Sequence, residues 1–124
     1  MPIIRAENAP SFVVGDLVVV GLAAPSRGSR ETSVWRFSVA AGVQGVAHSV
    51  DREEIFVALA GSAVAVLDDE RIEVRGGDTL VVPPGQVFSL NNPGSVAFEA
   101  IAIAPVGVRA RLSNGESFAP PWTL

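Results

Sequence analysis

The sequence contains one histidine, His48, and six residues later a glutamate, Glu54. An imidazole and a carboxyl held close together offer two kinds of chemistry. They can move protons as an acid/base pair, or they can supply two of the donors of a divalent metal site. Other routes are closed by composition. There is no cysteine, so disulfides, iron–sulfur clusters, thiolate zinc sites and cysteine nucleophiles are excluded. All nine basic residues are arginine, which removes Schiff-base chemistry through lysine. With the only histidine already assigned to this pair, no Ser/His/Asp triad is expected, and no Walker loop or dinucleotide glycine fingerprint is present.

The elements that must position these two residues are strands. Branched and aromatic runs alternate with Gly, Pro, Asn and Asp every 8–12 residues or so, and no long helical period is found. Strands are predicted in Phe12–Leu22, broken at Gly15-Asp16, and in Ser33–Ala40. Further strands are expected over Glu54–Ala60, Ser62–Leu67, Arg71–Val74, Thr79–Val82, Val87–Leu90 and Ser95–Ala104. Asp68-Asp69-Glu70 reads as a hairpin turn, and Ala23–Thr32 as a polar surface loop. Ser113–Leu124 reads as an irregular tail pinned by Phe118 and Trp122. So many short strands in 124 residues favour one closed or rolled all-β domain over a flat sheet with open edges.

Two spaced patterns give that architecture a relative. Gly42-VQGVA-His48-Ser49-Val50-DRE-Glu54-IFVALA-Gly61 and Gly77-DTLVV-Pro83-Pro84-Gly85-QV-Phe88-SLN-Asn92 resemble the two motifs of the cupin superfamily. The resemblance covers chiefly residues 42–92 and rests on framework glycines, prolines and an asparagine at the family offsets. It implies a double-stranded β-helix, or jelly-roll barrel, over residues 1–124. It also implies a divalent metal held by three histidines and a glutamate.

Of those four ligand positions only His48 and Glu54 keep a donor. Val50 and Phe88 occupy the other two, and neither has a lone pair to give. His48 and Val50, two apart on a strand, should face one cavity, with Glu54 and Phe88 joining them across the barrel. Glu53 should face away from Glu54, and Asp51 should lie in a turn. No cofactor is therefore expected; a divalent metal, if any, would sit on His48 and Glu54. Burial would raise the carboxyl pKa and a nearby imidazolium would lower it.

The ligand pocket is expected to comprise His48, Val50, Glu54, Phe56 and Phe88, an apolar lining for a small molecule with one polar group. The competing reading is that these side chains simply complete a packed core, the pair surviving as a satisfied remnant. Three functions follow: a small-molecule-binding cupin without a standard metal centre; a cupin isomerase, lyase or dioxygenase using His48 and Glu54; and a structural or regulatory protein-binding module. The net charge of −4, with no basic cluster, argues against nucleic acid as a partner. Met1–Glu7 lacks the pattern of a leader or anchor, and no apolar run approaches the roughly 20 residues of a membrane span, so a cytoplasmic protein is expected. Glu54–Ala60 and Ile101–Val106 are apolar on both faces, more than one solvated barrel wall needs, and a homodimer is expected to cover them.

Overall fold

Period-two alternation becomes two face-to-face sheets. The computed structural model describes residues 3–124; Met1 and Pro2, the start of the segment read as lacking a leader, lie outside them. Twelve strands follow in order: β1 (Ser11–Val14), β2 (Leu17–Ala23), β3 (Thr32–Val39), β4 (His48–Val50), β5 (Glu54–Ala60), β6 (Ser62–Leu67), β7 (Glu70–Arg75), β8 (Thr79–Val82), β9 (Phe88–Asn91), β10 (Phe98–Pro105), β11 (Ala110–Leu112) and β12 (Ser117–Phe118). One sheet runs β1-β2-β3-β10-β5-β8 and the other β12-β11-β4-β9-β6-β7, with every described pairing antiparallel. This is the all-β jelly roll the sequence implies. Among the described residues no helix is long and apolar enough to cross a membrane.

The pleat sorts the side chains. In β3, Ser33, Trp35, Phe37 and Val39 are buried while Arg36 is exposed, and in β10 Phe98, Ala100, Ala102 and Ala104 point inward. Antiparallel register stacks these rows: Ala102 lies opposite Trp35 on one side and Phe56 on the other. Around β6 and β7 the interior is closed by small residues and by Val74. The outer face of β7 is polar, and Arg75 Nε donates to Glu73 Oε1 at 2.8 Å on the surface.

Turns hold the frame in register. Asp68, with φ of 52°, makes the two-residue β6–β7 hairpin. Asn92 is 1% exposed; its Nδ2 donates to Val39 O (3.0 Å) and Val96 O (2.8 Å), and its Oδ1 accepts from Gly94 N (3.0 Å). Its main chain also accepts from Gly42 N at 2.7 Å and donates to Val43 O at 2.9 Å. The asparagine of the second motif thus ties the loop entering the first motif to β3 and to the turn before β10.

The C-terminal segment is more regular than its Gly and Pro content predicts. Ser117 and Phe118 pair with β11, and Pro121–Thr123 forms a 3-10 turn. Thr123 is buried; its hydroxyl donates to Pro120 O at 2.6 Å, and Ser33 Oγ donates to Thr123 O at 3.3 Å. Trp122 packs between Phe12 and Trp35, with ring centroids 6.0 and 6.4 Å away.

Two framework glycines test what the turns require. Gly61 and Gly77 both have positive φ, at 74° and 98°. A Cβ on Gly77 meets nothing within 4 Å, whereas one on Gly61 runs into the Ala97 carbonyl. Gly77→Ala should therefore cost about 1–2 kcal/mol, the left-handed backbone penalty alone. Gly61→Ala should cost that plus roughly 1–3 kcal/mol of overpacking. Urea midpoints of the two variants measure the difference; equal losses would refute the close approach.

Candidate functional site

The inward rows of β3, β4, β5, β9 and β11 do not meet. They leave between them a partly open cavity of about 390 Å³, lined also by Val14, Asp16 and Leu17 of the β1–β2 hairpin, by the loop carrying Val43 and Val46, and by Phe118, Pro120 and Trp122. Val50, Phe56 and Phe88 belong to the buried core, as the competing expectation has it, and also line this space. All five pocket residues expected from the sequence line this one space: His48 and Val50 from β4, Glu54 and Phe56 from β5, and Phe88 from β9.

Their arrangement differs in one respect from the expectation. Phe88 is not across the barrel from His48 but its direct cross-strand neighbour. The two rings lie 4.5 Å apart between centroids, inclined at 48°. Phe88 in turn makes an edge contact with Phe56 at 5.6 Å, and Phe56 with Phe37 at 5.6 Å. A continuous run of rings thus connects the imidazole to the opposite sheet. The large side chain at the former ligand position spends its volume on this contact and leaves space beside it.

His48 is half-buried, and its Nδ1 lies 2.9 Å from Val46 O. A carbonyl oxygen only accepts, so Nδ1 carries the proton and, in the neutral ring, Nε2 carries the lone pair. Glu54 is 5% exposed, and its Oε1 has no hydrogen-bond partner. Loss of water around the carboxyl pushes its pKa up to about 8. Around pH 7 Glu54 is mostly protonated and uncharged. The imidazole and carboxyl are not joined through Nδ1 and Oε1, so the internally satisfied pair considered from the sequence is not formed through those atoms.

The nearby carboxylates serve the frame. Asp51 Oδ1 accepts from Arg109 N at 2.8 Å, which clips the β4–β5 turn to the start of β11. Glu53 is exposed. Among the described residues no group of three or more His, Asp or Glu side chains is placed to hold a metal ion. A catalytic divalent cation usually takes three protein donors, and here the third and fourth positions present a buried Val50 and a Phe88 ring packed against the imidazole. The residues present do not fit the metal that the family resemblance implies.

Several cavity residues were not singled out as site residues from the sequence. Trp35 and Phe37 could be placed inward by parity, but Leu90, Ala110, Leu112 and Trp122 carry no chemical motif. Trp122 is the most consequential, because its indole Nε1 is buried without a partner on a side chain that lines the cavity. Its only signal was a tryptophan after the Pro120-Pro121 pair.

Comparison with known proteins places this geometry. The profile described as "Cupin domain" matches residues 35–104. An uncharacterized protein of Methanocaldococcus jannaschii is 37% identical over 49 residues, covering 40% of this chain and only 39% of that protein's length. The polyketide cyclase RemF from Streptomyces resistomycificus shares the fold at a TM-score of 0.81 with 18% identity, over 98% of this chain and 88% of that one. A Cupin 2 conserved barrel domain protein from Salinispora arenicola gives a TM-score of 0.69 at 27% identity, over 84% and 87% of the two chains.

The state of Glu54 sets how stability depends on pH. Its folded pKa lies above the unfolded value near 4.5, so the folded state holds the proton more tightly. Stability from this group is fully present below about pH 4.5 and is lost as pH rises towards about 8. The loss should amount to roughly 3–5 kcal/mol across that window. Glu54→Gln keeps the shape and cannot ionise. Urea unfolding between pH 5 and pH 8.5 should show a declining free energy for the native protein and a nearly flat one for the variant. Parallel curves would show that Glu54 is not desolvated.

Proposed function

The chain belongs to the cupin domain family, and from that premise we propose that it binds a small, largely apolar molecule between its sheets without a standard metal centre. The observation that carries this reading is the cavity of about 390 Å³ bounded by Trp35, Phe37, Phe56, Phe88 and Leu90. Ligand sites commonly span roughly 300–1,000 Å³, with mostly apolar walls and a few polar groups that fix orientation. Here those polar groups are His48 and Glu54, with Asp16 the remaining charged side chain of a largely apolar wall.

A second reading is favoured by one specific observation. Glu54 is held uncharged near neutral pH, and His48 presents a lone pair at Nε2 of the same cavity. A protonated carboxyl and an imidazole nitrogen are a proton donor and a proton acceptor, the parts of a metal-free acid/base catalyst. The structural neighbour named as a polyketide cyclase is a reason to assay such chemistry on this chain.

We also infer that a second copy covers the outward face of the β3-β10-β5-β8 side of the first sheet. Leu59 and Val81 are 47% and 49% exposed there, and Ile55, Val57, Ile101 and Ile103 form half-buried rows with them. Such a patch on a soluble monomer would be unusually apolar.

Three measurements test these statements. In thermal melts against a panel of uncharged aromatic and aliphatic compounds, at least one should raise Tm in a saturable way, by about 2.7 kcal/mol of stabilisation at a hundredfold excess over Kd. No shift with any compound would favour a protein-binding module. Elemental analysis of protein purified without chelator should find far less than one transition-metal ion per chain. A stoichiometric ion lost on His48→Ala would overturn the metal-free reading. In sedimentation, the native chain should run as a dimer and the double variant Leu59→Glu, Val81→Glu as a folded monomer.

A further inference from the structure

The placement of charge around the cavity restricts the ligand further, given the binding reading above. Three segments form its open end, and each brings an exposed apolar side chain to it. These are Val14 of the β1–β2 hairpin, 53% exposed, Val46 of the loop before β4, 70%, and Phe118 of β12, 36%. Exposure falls from this collar to Val50, Phe56 and Phe88, which are buried. Apolar surface therefore runs without a break from the mouth to the interior, where the rings of Phe37, Phe56 and Phe88 suit a flat apolar body.

The charge on that mouth has one sign. Between Ser11 and Ala23 the one charged residue is Asp16; Ala40 to Ala47 contains none, and Leu112 to Leu124 contains only Glu116. Asp16 is exposed in the β1–β2 turn and lines the cavity. Among the described residues the one ion pair joins Arg75 to Glu73, so no arginine neutralises Asp16. None of the nine arginines lines the cavity. On β11, Ala110 and Leu112 face it, which turns Arg111 outward. Arg109 is held by Ser117, the outward neighbour of Phe118: Nε donates to Ser117 Oγ and a terminal nitrogen to Ser117 O, both at 3.2 Å.

Glu54 supplies no positive charge in either protonation state, and the only basic group on the wall is His48, half-buried against Phe88. A cleft with apolar walls and charge of one sign concentrates its field in the opening. An entering anion meets Asp16 at the mouth and no guanidinium or ammonium inside, where an unpaired charge is costly to bury. An entering cation meets a carboxylate that no arginine occupies.

We propose that the cavity takes an apolar amine, a ring system lodged between the sheets with one protonated nitrogen left at the mouth beside the Asp16 carboxylate. This rests on the binding reading and deepens it. It fixes the sign of the ligand's charge and makes Asp16, which belongs to neither motif, the residue that selects it.

The test gives the full chain three probes of one bicyclic shape at neutral pH: 1-naphthylmethylamine, a cation; 1-naphthalenemethanol, uncharged; and 1-naphthoate, an anion. Equilibrium dialysis gives the affinities, each read relative to the alcohol's in the same protein, which cancels their shared packing. The order should be amine, alcohol, acid. Attraction of one charge and repulsion of the other should set the amine-to-acid ratio at about tenfold at low salt. The ratio should fall towards one between ionic strengths of about 0.01 M and about 1 M, as the Debye length shrinks from about 30 Å to about 3 Å. Asp16→Asn should bring it towards one at low salt, and Asp16→Arg should invert it. The salt series on the native chain stands independently if a variant folds poorly.

Equal affinities for amine and acid, or a preference that neither substitution changes, would overturn this proposal while binding of the alcohol leaves the apolar reading intact. Tightest binding of the alcohol would overturn it in favour of uncharged ligands, and tightest binding of the acid in favour of an anion held at His48. An amine preference kept in Asp16→Asn and lost in Glu54→Gln would overturn the placement at the mouth. Binding by none of the three would overturn both this proposal and the reading it rests on.

Discussion

One carboxyl in a dry interior is the constraint on which the site depends. Strand alternation sends every second side chain of β5 into the space between the sheets, and the first of them is Glu54. The positions that follow, Phe56 and Ala58, are the ordinary apolar occupants of such a row. Among the described residues Glu54 is the only titratable side chain that is buried, and no cation or donor meets its Oε1. Its raised pKa follows from that one placement. A fixed positive charge within reach would lower it.

The replacement of two metal-ligand positions is a coordinated change of chemistry. Phe88 and His48 are directly opposed on neighbouring strands, so a ring at the first position necessarily meets the imidazole at the second. Val50 removes the remaining donor from the same strand as His48. The imidazole then takes its fixed orientation from the Val46 carbonyl through Nδ1 and from the face of Phe88. Two local contacts thus orient the ring.

The fold was legible where geometry is local. Glu54–Ala60, Ser62–Leu67 and Thr79–Val82 begin and end where turn residues bound a period-two run, and the structure has the same limits. The strand expected at Ser95–Ala104 starts later, at Phe98, because the Asn92 side chain holds Val96 O and Gly94 N in a turn. β12 went unread because two residues pairing with β11 leave no periodic trace in a segment full of Gly and Pro. The inward side of His48, Val50, Glu54, Phe56 and Phe88 was legible because alternation and motif register fix their side of the strand. The existence of the cavity was not readable. The same Trp, Phe and Val composition serves a filled interior equally well, and which one forms depends on the separation of the sheets and on rotamers, neither of which is a local property.

That last point bears on how the cavity survives. Small residues close the interior around β6 and β10, where Ala63, Ala65, Ala100, Ala102 and Ala104 let the sheets approach. On the other side Phe37, Phe56 and Phe88 brace one another edge to face, and bulky rings that already have aromatic partners gain little by collapsing further inward. Trp122 completes the brace from outside the barrel's own strands, held by Phe12, by Trp35 and by the buried Thr123 turn on Ser33. The C-terminal segment therefore forms part of the container wall.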